Sequence, residues 1–190
     1  MADLFADQES PSRPAETPAE GAPLADRLRP KSLQDVVGQE HLTGPEGAIG
    51  RMVAAGRLAS MILWGPPGTG KTSIARLLAD AVGLRFVAVS AVFSGVADLK
   101  RIFAEARTAA RAGQKTLLFV DEIHRFNRAQ QDGFLPYVED GTVTLVGATT
   151  ENPSFEINAA LLSRCQVLIL RRLNHDALEE LVRRAEAIEE

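Results

Sequence analysis

Apolar residues along this chain fall into short continuous runs, and between the runs they recur every three or four positions. The runs are Met61 to Trp64, Phe86 to Val89, Thr116 to Val120, Thr142 to Ala148 and Val167 to Leu170. A run this short, closed by turn or charged residues such as Gly65 or Asp121-Glu122, predicts a strand buried on both faces. The intervening spacing predicts helices. Ile74, Leu77, Leu78 and Ala81 share one face of a helix over Lys71 to Val82, and further helices are expected over Pro45 to Arg57 and Ala97 to Ala112. Others are expected over Gln130 to Glu139, closed by Asp140-Gly141, over Ala159 to Ser163, and from His175 onward. Strands alternating with helices imply an α/β fold: a parallel five-stranded sheet with right-handed crossovers, helices on both faces, and ligands at the carboxyl ends of the strands.

Composition narrows the organisation. With 190 residues, 45% of them hydrophobic, the chain is long enough for one core and too short for two. Residues 1–23 are rich in Pro, Ala and Glu, with too few apolar side chains to offset the entropy of ordering, and are expected to form a disordered tail. A short partner-binding peptide around Leu4 and Phe5 is the other reading of that stretch. A formal net charge of −4 argues against a surface that is basic throughout, so any nucleic-acid contact must come from a local patch or a partner. Cys165 is the single cysteine and cannot form an internal disulfide. No apolar run reaches the roughly 20 residues that span a bilayer, and no signal-peptide stretch is present, so the expected location is cytoplasmic.

Chemistry concentrates at the strand ends. Gly65-Pro66-Pro67-Gly68-Thr69-Gly70-Lys71-Thr72 lies between an apolar run and a helix, the setting a phosphate loop requires. Gly68 and Gly70 let backbone N–H groups turn toward a β-phosphate, and the helix from Lys71 adds its positive end. Lys71 would then reach the β and γ oxygens, and Thr72 would ligate Mg²⁺. Asp121 and Glu122 close the third run. Asp121 suits a water-mediated Mg²⁺ contact, and Glu122 suits a general base acting on the attacking water. The fourth run ends at Thr149-Thr150, where a hydroxyl could touch the γ-phosphate; Thr150 is preferred over Thr149, with strand-end capping the alternative for both. Three further features carry a bland and a functional reading. Arg164 in Ser163-Arg164-Cys165 reads by itself as a surface salt bridge. His124, Arg125 and Phe126 read as a loop packed on the sheet edge, with a metal or DNA contact as the alternative. His41 and His175 show no ligand-spaced partners in the sequence.

With these segments in view, the chain resembles the AAA+ ATPases, and within them the clamp-loader-like replication-associated recombination protein A family. The resemblance is carried by Leu24 to Pro30, Val37 to Gln39, Met61 to Thr72, Phe119 to Asn127 and Gly147 to Phe155. It implies a P-loop three-layer αβα core over residues 24–173, with ATP and Mg²⁺ as cofactors. It also implies roles: Val37 and Gly38 on the adenine side, Lys71 and Thr72 as the Walker A pair, Asp121 and Glu122 as the Walker B pair, and Thr150 as first sensor. Arg164 is similar to the arginine finger offered to a neighbouring subunit. Such proteins continue through a helical lid, so residues 174–190 are expected to begin a truncated lid, the chain being a fragment or a truncated gene product.

The resemblance further implies an ATP hydrolase, homo-oligomeric when full-length, that remodels DNA or DNA-bound proteins at stalled replication forks beside replication proteins and the nucleoid. Two alternatives come from other classes. A non-catalytic clamp-loader-like nucleotide-binding subunit would not need intact Lys71, Asp121 and Glu122. A small-molecule P-loop kinase would need an acceptor lid and would have no use for Arg164. Lys100, Arg101 and Arg107 on one expected helix fit phosphate contacts or, more simply, a solvated face.

Overall fold

A computed structural model describes residues 22–189; apart from Ala22 and Pro23, the expected tail lies outside the described residues. The chain runs α1 (Leu24–Arg27), α2 (Glu40–Thr43), α3 (Ala48–Ala54), β1 (Met61–Trp64), α4 (Lys71–Val82) and β2 (Arg85–Ser90). It continues through α5 (Val96–Arg111), β3 (Thr116–Asp121), α6 (Arg128–Asp132), α7 (Leu135–Glu139) and β4 (Val143–Thr149). It closes with α8 (Pro153–Glu156), α9 (Ala159–Leu162), β5 (Gln166–Ile169) and α10 (His175–Glu189). The five strands form one sheet in the order β2-β3-β4-β1-β5, and every neighbouring pair is parallel.

Strand alternation divides the apolar runs between the two faces of the sheet. Met61, Leu63, Leu117, Phe119, Val146 and Ala148 pack on one face with Ile74 and Leu78 of α4. Ile62, Leu118, Val120 and Leu145 pack on the other with Leu99, Ile102 and Phe103 of α5. The result is the expected three-layer αβα arrangement. Beyond α5, Phe103 stacks on Tyr137 with ring centroids 4.0 Å apart and meets Phe134 edge-on at 5.5 Å. Aromatic pairs of this kind contribute about 0.5–1.5 kcal/mol each beyond area burial.

Two expected helices differ from those found. The one over Gln130 to Glu139 is broken into α6 and α7 around Gly133-Phe134. Pro136 has no N–H to bond the carbonyl of Asp132, which interrupts the ladder. The first piece also starts earlier, because Asn127 Oδ1 accepts from Gln130 N at 2.9 Å while Gln130 Oε1 accepts from Asn127 N at 2.9 Å, a reciprocal cap. The helix over Pro45 to Arg57 is shortened to Ala48–Ala54. The other expected strands and helices are found with ends shifted by at most one residue.

Strand order decides where chemistry can gather. The chain leaves β1 for β2 at one edge and returns through β3 and β4, so β3, β4 and β1 lie side by side. Their carboxyl ends carry Asp121, Thr149 and Trp64, and a crevice at such a switch point is where open α/β sheets bind ligands.

Candidate nucleotide site

The phosphate loop leaves β1 at Gly65, whose N–H donates to the carbonyl of Thr149 at 3.1 Å. Gly68 and Gly70 have φ of +75° and +93°, a region that L side chains enter only at a cost of roughly 1–2 kcal/mol. A Cβ at either position would meet nothing within 4 Å. Backbone conformation therefore holds these positions to glycine, and the hollow that the loop curves around stays open on their side. The loop feeds α4, whose first residue is Lys71. Thr69 is buried and its hydroxyl donates to the carbonyl of Pro66 at 2.9 Å, pinning the turn.

Lys71 reaches across its own loop. Its Nζ donates to the carbonyls of Gly65 at 2.8 Å and Pro66 at 2.7 Å. Burial is the main influence on the ammonium and pulls its pKa below the usual lysine value, against the opposing attraction of Asp121 and Glu122. The two motifs are thus near enough to feel each other's charge. Asp121 ends β3, and its carboxylate accepts from the N–H of Glu122 at 3.1 Å. Glu122 has φ +53° and ψ +42°, and among the described residues it is the non-glycine residue with positive φ. A left-handed glutamate at a strand end is a strained position of the kind found at functional sites.

The loop after β3 supplies a partner that the sequence left between two readings. His124 Nε2 lies 3.2 Å from Glu122 Oε2, and its Nδ1 lies 2.8 Å from the hydroxyl of Thr149. Thr149 is fully buried. Thr150 points elsewhere, lining a hollow of about 400 Å³ with Trp64, Gly65, Pro66 and Pro67. The structure therefore gives the adjacent threonines different surroundings: Thr150 beside the phosphate loop, Thr149 beside the acid pair.

Val37 and Gly38 line a cleft of about 580 Å³ with Arg171, Asn174 and Ala177. Gly38 has φ +82°, and a Cβ there would press to 2.6 Å from Leu173 Cδ2. Sequence reading assigned no role to Gln39, which the structure buries completely. Its amide donates to the carbonyl of Arg171 at 2.8 Å and accepts from the N–H of Arg171 at 2.9 Å, fastening the Val37-Gly38 segment to the chain beyond β5. The one available signal was an amide beside a glycine, which singles out no position.

Arg164 is not drawn to the phosphate loop. Its Nε lies 2.5 Å from Glu139 Oε1, and its Nη1 donates to the carbonyl of Ala160 at 2.7 Å. The expected basic helix face is satisfied locally, Arg101 pairing with Glu105 and Arg107 with Asp140. His175, thought to lack ligand-spaced partners, does have Asp176 and Glu179 within 4.8 Å of ligand-atom separation. All three are exposed, and His175 and Glu179 form an ordinary i,i+4 pair.

A phosphate loop on β1, an acid pair on β3 and hydroxyls on β4 between them define a P-loop nucleoside-triphosphatase core. Residues 61–173 match the family described as "ATPase family associated with various cellular activities (AAA)". Over 163 residues the chain is 50% identical to replication-associated recombination protein A of Escherichia coli K12, which covers 86% of this chain and 36% of that protein. It is 47% identical to ATPase WRNIP1 of Dictyostelium discoideum, covering 86% of this chain and 19% of that one. The structure of Thermotoga maritima RuvB, titled a Holliday junction branch migration motor, superposes with a TM-score of 0.69 at 30% identity, covering 85% of this chain and 55% of that one. The chain belongs to the AAA family of ATPases, in the group that holds replication-associated recombination protein A and WRNIP1. It spans about a third of the length of the bacterial relative. No helix among the described residues is long and apolar enough to cross a membrane.

Proposed function

We propose that the chain binds ATP with Mg²⁺ and hydrolyses it, and that it does so as the motor core of a DNA-remodelling protein. The observation that carries the reading is the meeting of Lys71, the Asp121-Glu122 pair and Thr149-Thr150 at the carboxyl ends of three adjacent strands. The phosphates would rest on the amides of Gly68 to Thr72 and the amino end of α4, with Lys71 turning from its own carbonyls to their oxygens. Thr72 and Asp121 would hold Mg²⁺, whose chemistry is to neutralise phosphate charge. Glu122 accepts a proton from the attacking water, Thr150 contacts the γ-phosphate, and Val37 and Gly38 border the base. Residues 24–173 form the core, and α10 begins a lid.

Beyond this chain's own residues the reading rests on relatives. One is named for replication-associated recombination, and another is titled a branch migration motor. The whole protein is accordingly read as a cytoplasmic, nucleoid-associated homo-oligomer acting on single-stranded or forked DNA with replication proteins, with Arg164 offered to the neighbour's ATP. The test is phosphate release by the full-length protein with and without forked DNA. Stimulation by the fork is expected; an ATP-binding protein with no turnover on any DNA would overturn the reading.

A further inference from the structure

We infer that His124 is a positioning residue for the base, its imidazole holding the Glu122 carboxylate and tying it to the Thr149 hydroxyl at the end of β4. This rests on the proposed role of Glu122 as the base. His124 sits in the short turn Ile123–Arg125 that follows the acid pair. Its side chain is only 10% exposed, whereas Arg125 beside it is exposed. The turn folds the imidazole back across the strand ends, 3.2 Å from Glu122 Oε2 and 2.8 Å from Thr149 Oγ1.

Proton counting fixes the ring's state. Thr149 Oγ1 accepts from the N–H of Glu151 at 3.0 Å, and its single proton can go to His124 Nδ1 or to the carbonyl of Glu151 at 3.2 Å. If it goes to Nδ1, a neutral ring carries its proton on Nε2, on the side that faces Glu122 at 3.2 Å. If it goes to Glu151, Nδ1 must donate to Thr149. Nε2 must then also be protonated, because a bare Nε2 would face the carboxylate's lone pairs. Both states place a proton on Nε2, which lies 3.2 Å from Glu122 Oε2. The carbonyl of the same Thr149 accepts the N–H of Gly65 at 3.1 Å. Hydrogen bonds therefore join His124, the central strand and the phosphate loop, and the 3.2 Å approach of His124 Nε2 to Glu122 Oε2 is the contact that links them to the base. Glu122 has a left-handed backbone, so its own turn gives the carboxylate no regular strand or helix neighbours. The imidazole fixes its direction.

The experiment compares three substitutions in the full chain. His124→Gln places an amide nitrogen near the Nε2 position and keeps the donor to Glu122; His124→Asn reaches only the Nδ1 position and keeps the Thr149 contact; His124→Ala keeps neither. Alanine and asparagine should lower kcat about tenfold or more, a share of the 10²–10⁴ a positioned base supplies. KM for ATP should stay within about twofold, and glutamine should recover most of the loss. A second readout needs no turnover. Imidazole ¹⁵N spectra of the nucleotide-free protein, with three histidines to assign, should show His124 protonated at Nε2, and Thr149→Val should move its Nδ1 resonance. A neutral ring protonated only at Nδ1, asparagine equal to glutamine, or an alanine variant with wild-type kcat would each overturn the inference. Turnover that survives Glu122→Gln would instead overturn the base assignment. An inactive Glu122→Gln beside a fully active His124→Ala would overturn the role of His124 alone.

Discussion

Replacing Gln39 tests whether the Val37-Gly38 segment is held by one amide. Gln39 is fully buried and exchanges two hydrogen bonds with the backbone of Arg171, at 2.8 and 2.9 Å. A third contact, to the carbonyl of Thr69 at 3.5 Å, is at the limit of hydrogen bonding and is assigned no energy. Gln39→Met keeps the volume and leaves the N–H and C=O of Arg171 without partners. A sealed orphan costs about 1–3 kcal/mol, but Arg171 lies on an exposed stretch where water reaches it, so about 1 kcal/mol per group applies. The expected loss is about 2 kcal/mol, or about 4–8 °C in Tm for a chain of this size. Gln39→Glu sharpens the test, since it keeps the acceptor for Arg171 N–H but sets a carboxylate against the Arg171 carbonyl. That carboxyl pKa should be raised, so the variant should be most stable in acid and lose stability as pH rises through it. Urea titrations followed by circular dichroism measure both variants. A Gln39→Met protein within about 0.5 kcal/mol of wild type, or a glutamate variant insensitive to pH, would show that the segment is held elsewhere.

Three further outcomes are expected. Lys71→Ala should weaken ATP binding severely, whereas Glu122→Gln should bind as wild type and lose about 10²–10⁴ in turnover; calorimetry and phosphate release check this, and equal turnover in Glu122→Gln would refute the base. In the assembled full-length protein Arg164→Ala should bind ATP and hydrolyse poorly, since such a guanidinium is worth about 10³–10⁵ elsewhere. Mixing with Lys71→Ala should then partly restore turnover, and no recovery in proven mixed oligomers would return Arg164 to its bond with Glu139. Burial raises the Cys165 thiol from 9.0 to about 11, so the folded state keeps its proton where the unfolded state loses it. Stability should fall by at most about 3 kcal/mol between pH 9 and 11, and a Cys165→Ala protein with the same alkaline slope would refute the assignment.

How much could be read from the sequence differed between backbone and side chains. The strands were legible because each is a short apolar run closed by a glycine, a polar or a charged residue, and the phosphate loop because its glycines and lysine are fixed by spacing. The register that sets Trp64 opposite Thr149 was not legible. The break at Gly133 was hidden because an apolar helical pattern continues through Pro136. The pairings of Gln39 with Arg171 and of His124 with Thr149 were not legible, for a shared reason. Each joins residues distant in sequence, at separations of 132 residues for Gln39 with Arg171 and 25 for His124 with Thr149. No periodicity or local spacing encodes such a pairing.

The features that make this site chemically useful also make it locally unfavourable. The lysine is desolvated enough that its charged form is disfavoured despite two carboxylates nearby. The glutamate sits in a left-handed conformation, and the loop turns through two further positive-φ residues. The desolvated lysine and the left-handed glutamate are costly in the folded chain, and the surrounding sheet fixes both. A triphosphate with its cation, bound as proposed, would answer these costs together, since phosphate oxygens would solvate the lysine, the turn's amides would gain acceptors, and the carboxylates would gain a counter-charge. A ligand that binds only the folded state adds RT ln(1 + [L]/Kd), about 2.7 kcal/mol at a hundredfold excess over Kd. Nucleotide occupancy and core stability are therefore expected to rise and fall together. That coupling is what a motor needs if loading and release of nucleotide are to change the shape of what is attached to it.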